Sequence, residues 1–280
     1  MSVSKIKNLI LLILVLAIVG LLPTVVPTQT ARSSEEKQVH EKLSALYASY
    51  GIALDAASLP ASQTLYSIEL TQPDARAAAQ ALLGSGLHAQ ETSARTLADY
   101  FSDAGSFTLS RSGEVSVRLR ESKSARDLTR ATRRYLRAME FDCAALDEPV
   151  RESAGVYQLR AEQSLLGVPV FESALVFTYR NSALSSVEGT LYPAGEIVRV
   201  SEEACISCAD ALVALLSSRD SLGWVGSQII SCTQGYVHSE TASSALRFVP
   251  VWKIETDAGA FHVSGITREV RQLTSQLVED

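Results

Sequence analysis

Among the residues of this 280-residue sequence that could carry out chemistry, the four cysteines are the most reactive type. Two of them form a C-x-x-C motif, Cys205-Ile206-Ser207-Cys208. A thiol at the first turn of a helix has a lowered pKa, as in disulfide oxidoreductases. However, no thioredoxin-type βαβ pattern precedes the motif, and both sulfurs fall on the apolar stripe of a predicted helix. We therefore interpret Cys205, Cys208 and Cys232 as structural thiols, either buried or joined in a disulfide such as Cys208 with Cys232.

Other residues that could bind a metal or attack a substrate lack the spacing that such chemistry needs. Cys143 and Cys232 are each isolated, so a four-cysteine zinc site would miss its second close pair. The sequence contains no G-x-S-x-G, P-loop or dinucleotide-binding fingerprint. The histidines show no H-x-x-x-H or H-E-x-x-H spacing: His40, His88, His238 and His262. We predict a protein that is not an enzyme, with no catalytic residue, no metal and no cofactor.

The composition indicates a folded and mildly acidic protein. Its 25 basic and 31 acidic side chains give a formal net charge of −6, and 46% of its residues are apolar. This apolar fraction is too high for a disordered chain. The acidic balance disfavours nucleic-acid binding, because phosphates attract clustered positive charge. We therefore expect no nucleic-acid partner.

An apolar segment begins soon after the N-terminus. Residues 9–22 carry no polar side chain, and the mostly apolar span 9–26 reaches 18 residues. As a helix this span would be about 27 Å long, close to the thickness of the hydrocarbon core of a bilayer. The alternative is a cleaved signal peptide, because the strict core of 14 residues also fits an h-region. No A-x-A cleavage site follows, so we predict an uncleaved transmembrane helix.

The charges that flank this span predict its orientation. Lys5 and Lys7 precede it without an acidic residue, whereas basic and acidic residues are mixed after it. The positive-inside rule then assigns residues 1–8 to the cytoplasm and residues 27–280 to the outside. No second apolar run approaches the required length. We expect a single-pass protein of the cell membrane whose bulk is extracytoplasmic.

One side of the predicted transmembrane helix carries its small residues. Ile13, Ala17, Gly20 and Thr24 follow each other at i, i+4, i+7 and i+11, which places them on one face. Small residues let the backbones of two membrane helices approach closely. This face is a candidate transmembrane contact; the alternative is that Gly20 and Thr24 merely reflect the relaxed end of an anchor.

The outer portion predicts an α+β fold in which helices pack on curved antiparallel sheets. The pattern of helix followed by strands recurs about three times, and we place two lobes at 27–123 and 124–280. In the first helix, Val39, Leu43, Leu46 and Tyr50 share a face. Helices are predicted at 33–50, 73–83, 124–141 and after a Ser201-Glu202-Glu203 cap, and strands at 64–70, 107–110, 115–119, 155–164, 168–179, 184–192, 228–238, 246–256 and 260–266.

The helix at 124–141 is strongly basic. Nine basic residues lie between residues 111 and 137, against three acidic ones. One interpretation is a patch that meets anionic lipid, a cell-wall polyanion or an acidic partner. The other is a solvated helix face that acidic residues elsewhere in the fold neutralise.

Three parts of the chain resemble a known family. Ser4-Lys5-Ile6-Lys7-Asn8 before the apolar run is similar to the start of YycI-type regulatory proteins of Gram-positive bacteria. Leu165-Leu166-Gly167-Val168-Pro169-Val170-Phe171, leading into residues 174–177, resembles the paired strands of that family. Pro250-Val251-Trp252-Lys253-Ile254, with the later Thr267-Arg268-Glu269-Val270, looks like the terminal strands that the family shares with PepSY-like domains.

This resemblance implies a membrane-anchored regulator with PepSY-like repeats in its outer domain. Such a protein, together with a YycH-like partner, binds an essential cell-wall-sensing histidine kinase through transmembrane and ectodomain contacts and modulates two-component signalling. It would therefore work in a hetero-oligomer, or as a homo-oligomer. The alternative is a PepSY-like module that binds a ligand or restrains a protease, using the sheet face near Trp252 and Phe261.

Overall fold

The computed structural model describes residues 38–90, 95–120, 122, 124–239 and 245–273. The predicted cytoplasmic tail and transmembrane helix lie outside these residues, and so does the candidate contact face Ile13, Ala17, Gly20 and Thr24. Within the described ranges, no helix combines the length and the apolar character that crossing a bilayer requires.

The described chain is mostly strands with a few helices. The helices are α1 (38–49), α2 (Arg76–Leu83), α3 (Leu128–Ala138), α4 (Cys208–Ser217) and α5 (Arg219–Leu222), with a 3-10 turn at Ala56–Ser58. The strands are β1 (Tyr66–Asp74), β2 (His88–Ala89), β3 (Thr96–Ser102), β4 (Gly105–Ser110), β5 (Glu114–Leu119), β6 (Cys143–Leu146), β7 (Val150–Ser153), β8 (Val156–Leu165), β9 (Val168–Arg180), β10 (Ala183–Thr190), β11 (Ala194–Ala204), β12 (Ile229–Ser239), β13 (Leu246–Thr256), β14 (Gly259–Ser264) and β15 (Val270–Leu273).

These strands form one curved, open and mostly antiparallel sheet. Its first part contains β2 to β10, in which β8, β9, β10, β5, β4 and β3 pair in that order. Its second part contains β1 and β11 to β15. The two parts meet where β9 and β12 run parallel, at the pair Tyr236 and Val170. The structure therefore confirms a mixed α+β fold on curved sheets.

Alternating side chains explain why β4 and β5 form the predicted hairpin. Phe107 and Leu109 of β4, and Val115 and Val117 of β5, point into the core, while the residues between them are exposed. Gly113 closes the turn with φ of +92°, a conformation that glycine adopts without strain. The predicted meander is confirmed too, because β8, β9 and β10 pair in succession.

Helices cover each part of the sheet on one face. In the first core cluster, α2 and α3 pack on β4, β5 and β8 to β10 through residues such as Leu136 and Phe177. In the second, α1 and α4 pack on β12 to β14 around Tyr47 and Trp252. The predicted boundary between residues 123 and 124 remains a prediction; β5 and α3, on either side of it, both contribute to the first cluster.

Two details of the predicted helices are wrong. Residues 201–204 end β11 rather than cap a helix, because their backbone continues toward the pairing of Ala204 with Tyr66. The cap is Ser207, whose hydroxyl accepts a hydrogen bond from the Asp210 backbone N–H at 3.1 Å. In α1, the buried pair is Leu43 and Tyr47, whereas three of the four residues of the predicted stripe are exposed: Val39, Leu46 and Tyr50.

Candidate functional site

The helix α3 is fixed on the first part of the sheet by its cap and its buried face. The Asp127 carboxylate accepts a hydrogen bond from the Arg130 backbone N–H at 2.9 Å, which caps the helix. Ala131, Thr132 and Leu136 face the core. The Thr132 hydroxyl lies 2.8 Å from the Tyr179 hydroxyl on β9, and burial raises the pKa of Tyr179 to about 12. A buried polar contact of this kind sets how the helix is rotated on the sheet.

The opposite face of α3 carries exposed arginines. Arg130, Arg133, Arg134 and Arg137 all lie in solvent, and Arg126 is exposed just before the helix. None of them forms an ion pair with a described carboxylate. The ion pairs in the described part of the chain join Arg160 to Glu162, Arg247 to Glu69, Lys253 to Glu255 and Arg271 to Glu269. The interpretation that acidic residues elsewhere neutralise this face therefore finds no support among these residues.

A groove of about 640 Å³ lies between this arginine face and β6. On the helix side it is lined by Arg133, Leu136 and Arg137. After the helix, Glu140 has φ of +56°, a tight bend that returns the chain along α3. Because of this bend, the other residues that line the groove are consecutive and include all of β6: Phe141, Asp142, Cys143, Ala144, Ala145 and Leu146. The groove thus combines two cationic side chains with an apolar floor.

The strand β6 is an edge strand. It pairs with β8 on one side, with Cys143 opposite Gln163 and Leu146 opposite Ala161. On its other side, no described strand forms hydrogen bonds with it. Its first three residues are exposed. Unpaired backbone N–H and C=O groups on such an edge can pair with another extended chain.

Cys143 marks the start of this edge. Its thiol donates a hydrogen bond to the Ala145 carbonyl at 3.1 Å. Partial burial raises the pKa of the Cys143 thiol, and the positive charge of the nearby Arg133 partly opposes this effect. By contrast, the other three cysteines lie in or against the core around α4.

We expect Cys143 to react with iodoacetamide at least about tenfold faster than Cys208 at pH 8.5, because access and thiolate content control alkylation. Cys208 is only 1% exposed. Peptide mass spectrometry after timed alkylation of the folded chain measures both rates. In the Cys143→Ser variant the fast phase should disappear. Equal rates at the two thiols would show that β6 is not the exposed edge described here.

Cys205, Cys208 and Cys232 converge in the second core cluster as free thiols. A hydrogen bond between the Cys208 and Cys232 side chains, together with burial, raises the pKa of Cys208 despite its place in the first turn of α4. Burial also raises the pKa of Cys205. Both shifts oppose formation of the thiolate that an oxidoreductase uses. The structural role of these thiols and a Cys208–Cys232 disulfide remain predictions.

The sheet face near Trp252 and Phe261 is not open to a ligand. Both side chains are fully buried in the cluster that α4 covers. The Trp252 indole N–H also donates a hydrogen bond to the Ile206 carbonyl at 2.9 Å, which ties the C-x-x-C segment to β13. A ligand-binding module would therefore have to use another surface.

The sequence predicts the arginines of this site but not the groove beside them. Arginines that recur along a helix pattern are visible in the sequence, and so is their excess over acidic residues. The residues 141–146 show no alternation of polar and apolar side chains, and nothing in them indicates an edge strand. The run of small residues Cys143-Ala144-Ala145, which leaves space beside the helix, was the signal available.

Comparisons with known proteins add similarity of shape only. No family model matches this chain, and no curated protein does. An uncharacterized protein from Eubacterium rectale ATCC 33656 is similar with a TM-score of 0.49 and 10% identity, over 75% of this chain and 87% of that one. The C-terminal domain of Bacillus megaterium YpeB has a TM-score of 0.36 and 10% identity, over 74% of this chain and 99% of that domain. Neither likeness is close enough to assign a function.

Proposed function

We propose that this chain is a non-enzymatic, membrane-anchored regulator whose outer domain docks on partner proteins through the arginine face of α3. The observation that carries the proposal is a row of four exposed arginines without a described acidic partner, in a chain of net charge −6. Charges of one sign on a single face steer a partner of opposite charge and favour its orientation. The edge strand β6 lies directly beside this face.

The sequence resemblance supports a specific set of partners. The short segments that resemble YycI-type proteins suggest two partners, a cell-wall-sensing histidine kinase and a YycH-like regulator. They also suggest a PepSY-like outer domain. The apolar span 9–26 would anchor the chain and let its helix contact a kinase helix in the membrane. To change signalling, the regulator must bind one of the two kinase states more tightly than the other, because equal affinity shifts no equilibrium.

A second candidate function rests on a pocket of about 320 Å³ between β1, β11 and β12. The Arg199 guanidinium lies 3.4 Å from the centre of the Tyr66 ring at this pocket. The Tyr236 hydroxyl donates a hydrogen bond to the Tyr66 carbonyl at 3.2 Å and closes its wall. A ligand-binding PepSY-like module would use this pocket rather than the covered face near Trp252.

Co-purification from membranes tests the first proposal. We expect the full chain to recover a sensor histidine kinase and a YycH-like regulator, and we expect recovery to fall at least about tenfold when the four arginines of α3 become glutamine. A matched control neutralises four exposed arginines outside the basic run 111–137 and should recover both partners normally: Arg76, Arg151, Arg180 and Arg268.

Exchange of the span 9–26 for an unrelated membrane helix separates the two contributions. If recovery survives this exchange and still requires the α3 arginines, the outer domain carries the docking. Recovery of neither partner, or equal losses in the α3 variant and its control, would contradict the proposal. Loss of a small-molecule ligand in an Arg199→Ala variant with normal partner recovery would favour the second candidate.

A further inference from the structure

We infer that the groove between α3 and β6 binds an extended, acidic segment of a partner protein, which adds as a new strand to β6. This inference rests on the proposed docking function and specifies what kind of segment docks. It draws on three features of the described residues: an open strand edge, two arginines that line the same groove as that edge, and an apolar floor between them.

The first feature is the open edge. The backbone on either side of β6 is anchored to β8, since the Ser164 N–H donates to the Asp142 carbonyl at 2.8 Å and the Asp147 N–H donates to the Arg160 carbonyl at 2.9 Å. Between these anchors, the outward backbone groups of β6 have no described strand partner. An extended peptide can satisfy these groups by main-chain hydrogen bonds, as in strand addition. Pro149, which cannot donate such a bond, follows the strand and limits the edge to a short segment.

The second feature is the charge of the groove. Arg133 and Arg137 both line it, and the Arg137 Nε donates to the Arg133 carbonyl at 3.3 Å, which lays the side chain along the helix. Asp142 is the acidic residue of the lining. With Arg130 and Arg134 on the same helix, the positive charge prevails. This electrostatic environment favours carboxylates on the docked segment.

Spacing links the charges to an extended chain. Residues four apart on a helix are about 6 Å apart along its axis, and alternate residues of a strand are about 7 Å apart. Two acidic residues at i and i+2 of an added strand that runs along α3 would therefore match the spacing of Arg133 and Arg137. In a helix, acidic residues two apart would point in different directions.

The third feature is the apolar floor. Leu136 and Phe141 are buried beneath the groove, and Leu146 is partly buried at its far end. An added strand points alternate side chains into the groove and the others away from it. The docked segment should therefore present one apolar and two acidic residues on the same side.

Fluorescein-labelled heptapeptides test this inference by anisotropy with the full chain in nanodiscs. We expect TVTETET to bind and TVTKTKT to bind at least about tenfold more weakly, because the lysines would face arginines. Two further TVTETET peptides carry N-methyl groups on alternate sets of backbone amides. In strand addition only one set faces β6, so one methylated peptide should lose binding and the other should retain it. Equal effects of the two methylation patterns would overturn strand addition.

Two double variants of the same helix place the peptide in the groove. Arg133→Gln/Arg137→Gln should weaken TVTETET at least about tenfold, whereas Arg130→Gln/Arg134→Gln, with the same change of charge, should stay within about threefold. Bound peptide should also slow the alkylation of Cys143 but not that of Cys205.

The outcomes distinguish this inference from the proposed function. Equal weakening by the two double variants, without protection of Cys143, would overturn the groove and leave docking through the arginine face intact. If TVTETET did not bind but partner recovery still required the arginines of α3, the groove inference would be overturned and docking through the arginine face would stand. Conversely, peptide binding in the groove together with normal partner recovery by the four-arginine variant would support the groove and contradict the proposed function.

Discussion

Replacing Trp252 with alanine should lower the free energy of unfolding by about 3–5 kcal/mol, as expected when a large buried aromatic side chain is removed. Trp252 has no exposed surface and packs in the cluster that joins α1 and α4 to β13 and β14. The substitution also leaves the Ile206 carbonyl without its 2.9 Å donor. Urea unfolding of the chain, followed by circular dichroism, measures the change.

Two matched variants separate packing from hydrogen bonding at this position. Trp252→Phe keeps most of the buried ring but not the indole N–H, so we expect a smaller loss than for alanine, including about 1–2 kcal/mol for the unpaired carbonyl. Val225 is 83% exposed, and Val225→Ala should change stability by less than about 0.5 kcal/mol. If Trp252→Ala left stability intact and removed the binding of a partner or ligand instead, the face near Trp252 would be a binding surface and α4 would not cover it.

The strands that the sequence predicts are those with strong local signals. The hairpin β4–β5 combines an alternating pattern with a glycine that needs positive φ. The meander β8–β10 combines long strands with turns at Leu166-Gly167 and at Asn181-Ser182, whose residues all have positive φ. In both cases alternation and turn chemistry agree, so a purely local interpretation is sufficient.

Elements that depend on distant partners were missed. The strand β11 is mostly exposed and lacks alternation, and it exists because β1 pairs with it from 120 residues or more away. The strand β6 also exists because of a partner outside its own segment, since it pairs with β8 15 to 20 residues further along the chain. The face of α1 was misassigned because Tyr47 is buried by α4, where its hydroxyl donates to the Leu212 carbonyl at 2.8 Å. Side-chain periodicity along one helix cannot reveal such a partner.

The candidate site likewise has one part that local sequence signals predict and one part that they do not. The arginines of α3 could be predicted, because Asp127, the periodic core residues and the charges all lie within one short segment. The groove could not, because it is formed by the separation between that helix and an edge strand. A groove of this kind depends on how the elements pack in three dimensions. Small residues such as Ala144 and Ala145 contribute to it because their short side chains leave space beside the helix.

Acid should destabilise the folded chain through His262. This residue lies on β14 between Lys253 of β13 and Arg271 of β15, and its ring stacks on Phe171 of β9 with centroids 5.3 Å apart. Its Nε2 is buried and has no hydrogen-bond partner among the described residues. Burial, and to a smaller extent the charge of Lys253, lower the pKa of His262 from 6.5 to about 4. The folded state therefore resists a proton that the unfolded state accepts.

The sign and size of this effect follow from linkage. Above pH 6.5 the imidazole is neutral in both states, and His262 carries no penalty. As the pH falls toward about 4, the unfolded chain binds a proton that the folded chain does not. The free energy of unfolding should then fall by about 2–3 kcal/mol from this residue. Urea unfolding at pH 7 and at pH 4.5 measures the decrease.

The contribution of His262 can be separated from that of the carboxylates by comparing variants. Hydrogen bonds donated by Lys253 and Ser231 lower the pKa of the Glu255 carboxylate, and bonds donated by Ser227 and Gln228 lower that of Asp257. The wild type therefore also loses stability at lower pH through these carboxylates. His262→Phe keeps a ring against Phe171 but cannot bind a proton, and it should remove about 2–3 kcal/mol of the decrease between pH 7 and 4.5. His88 is exposed, and His88→Phe should leave the decrease unchanged. Equal pH dependence in the wild type and both variants would mean that the His262 ring reaches solvent and that β9 does not cover this part of the sheet.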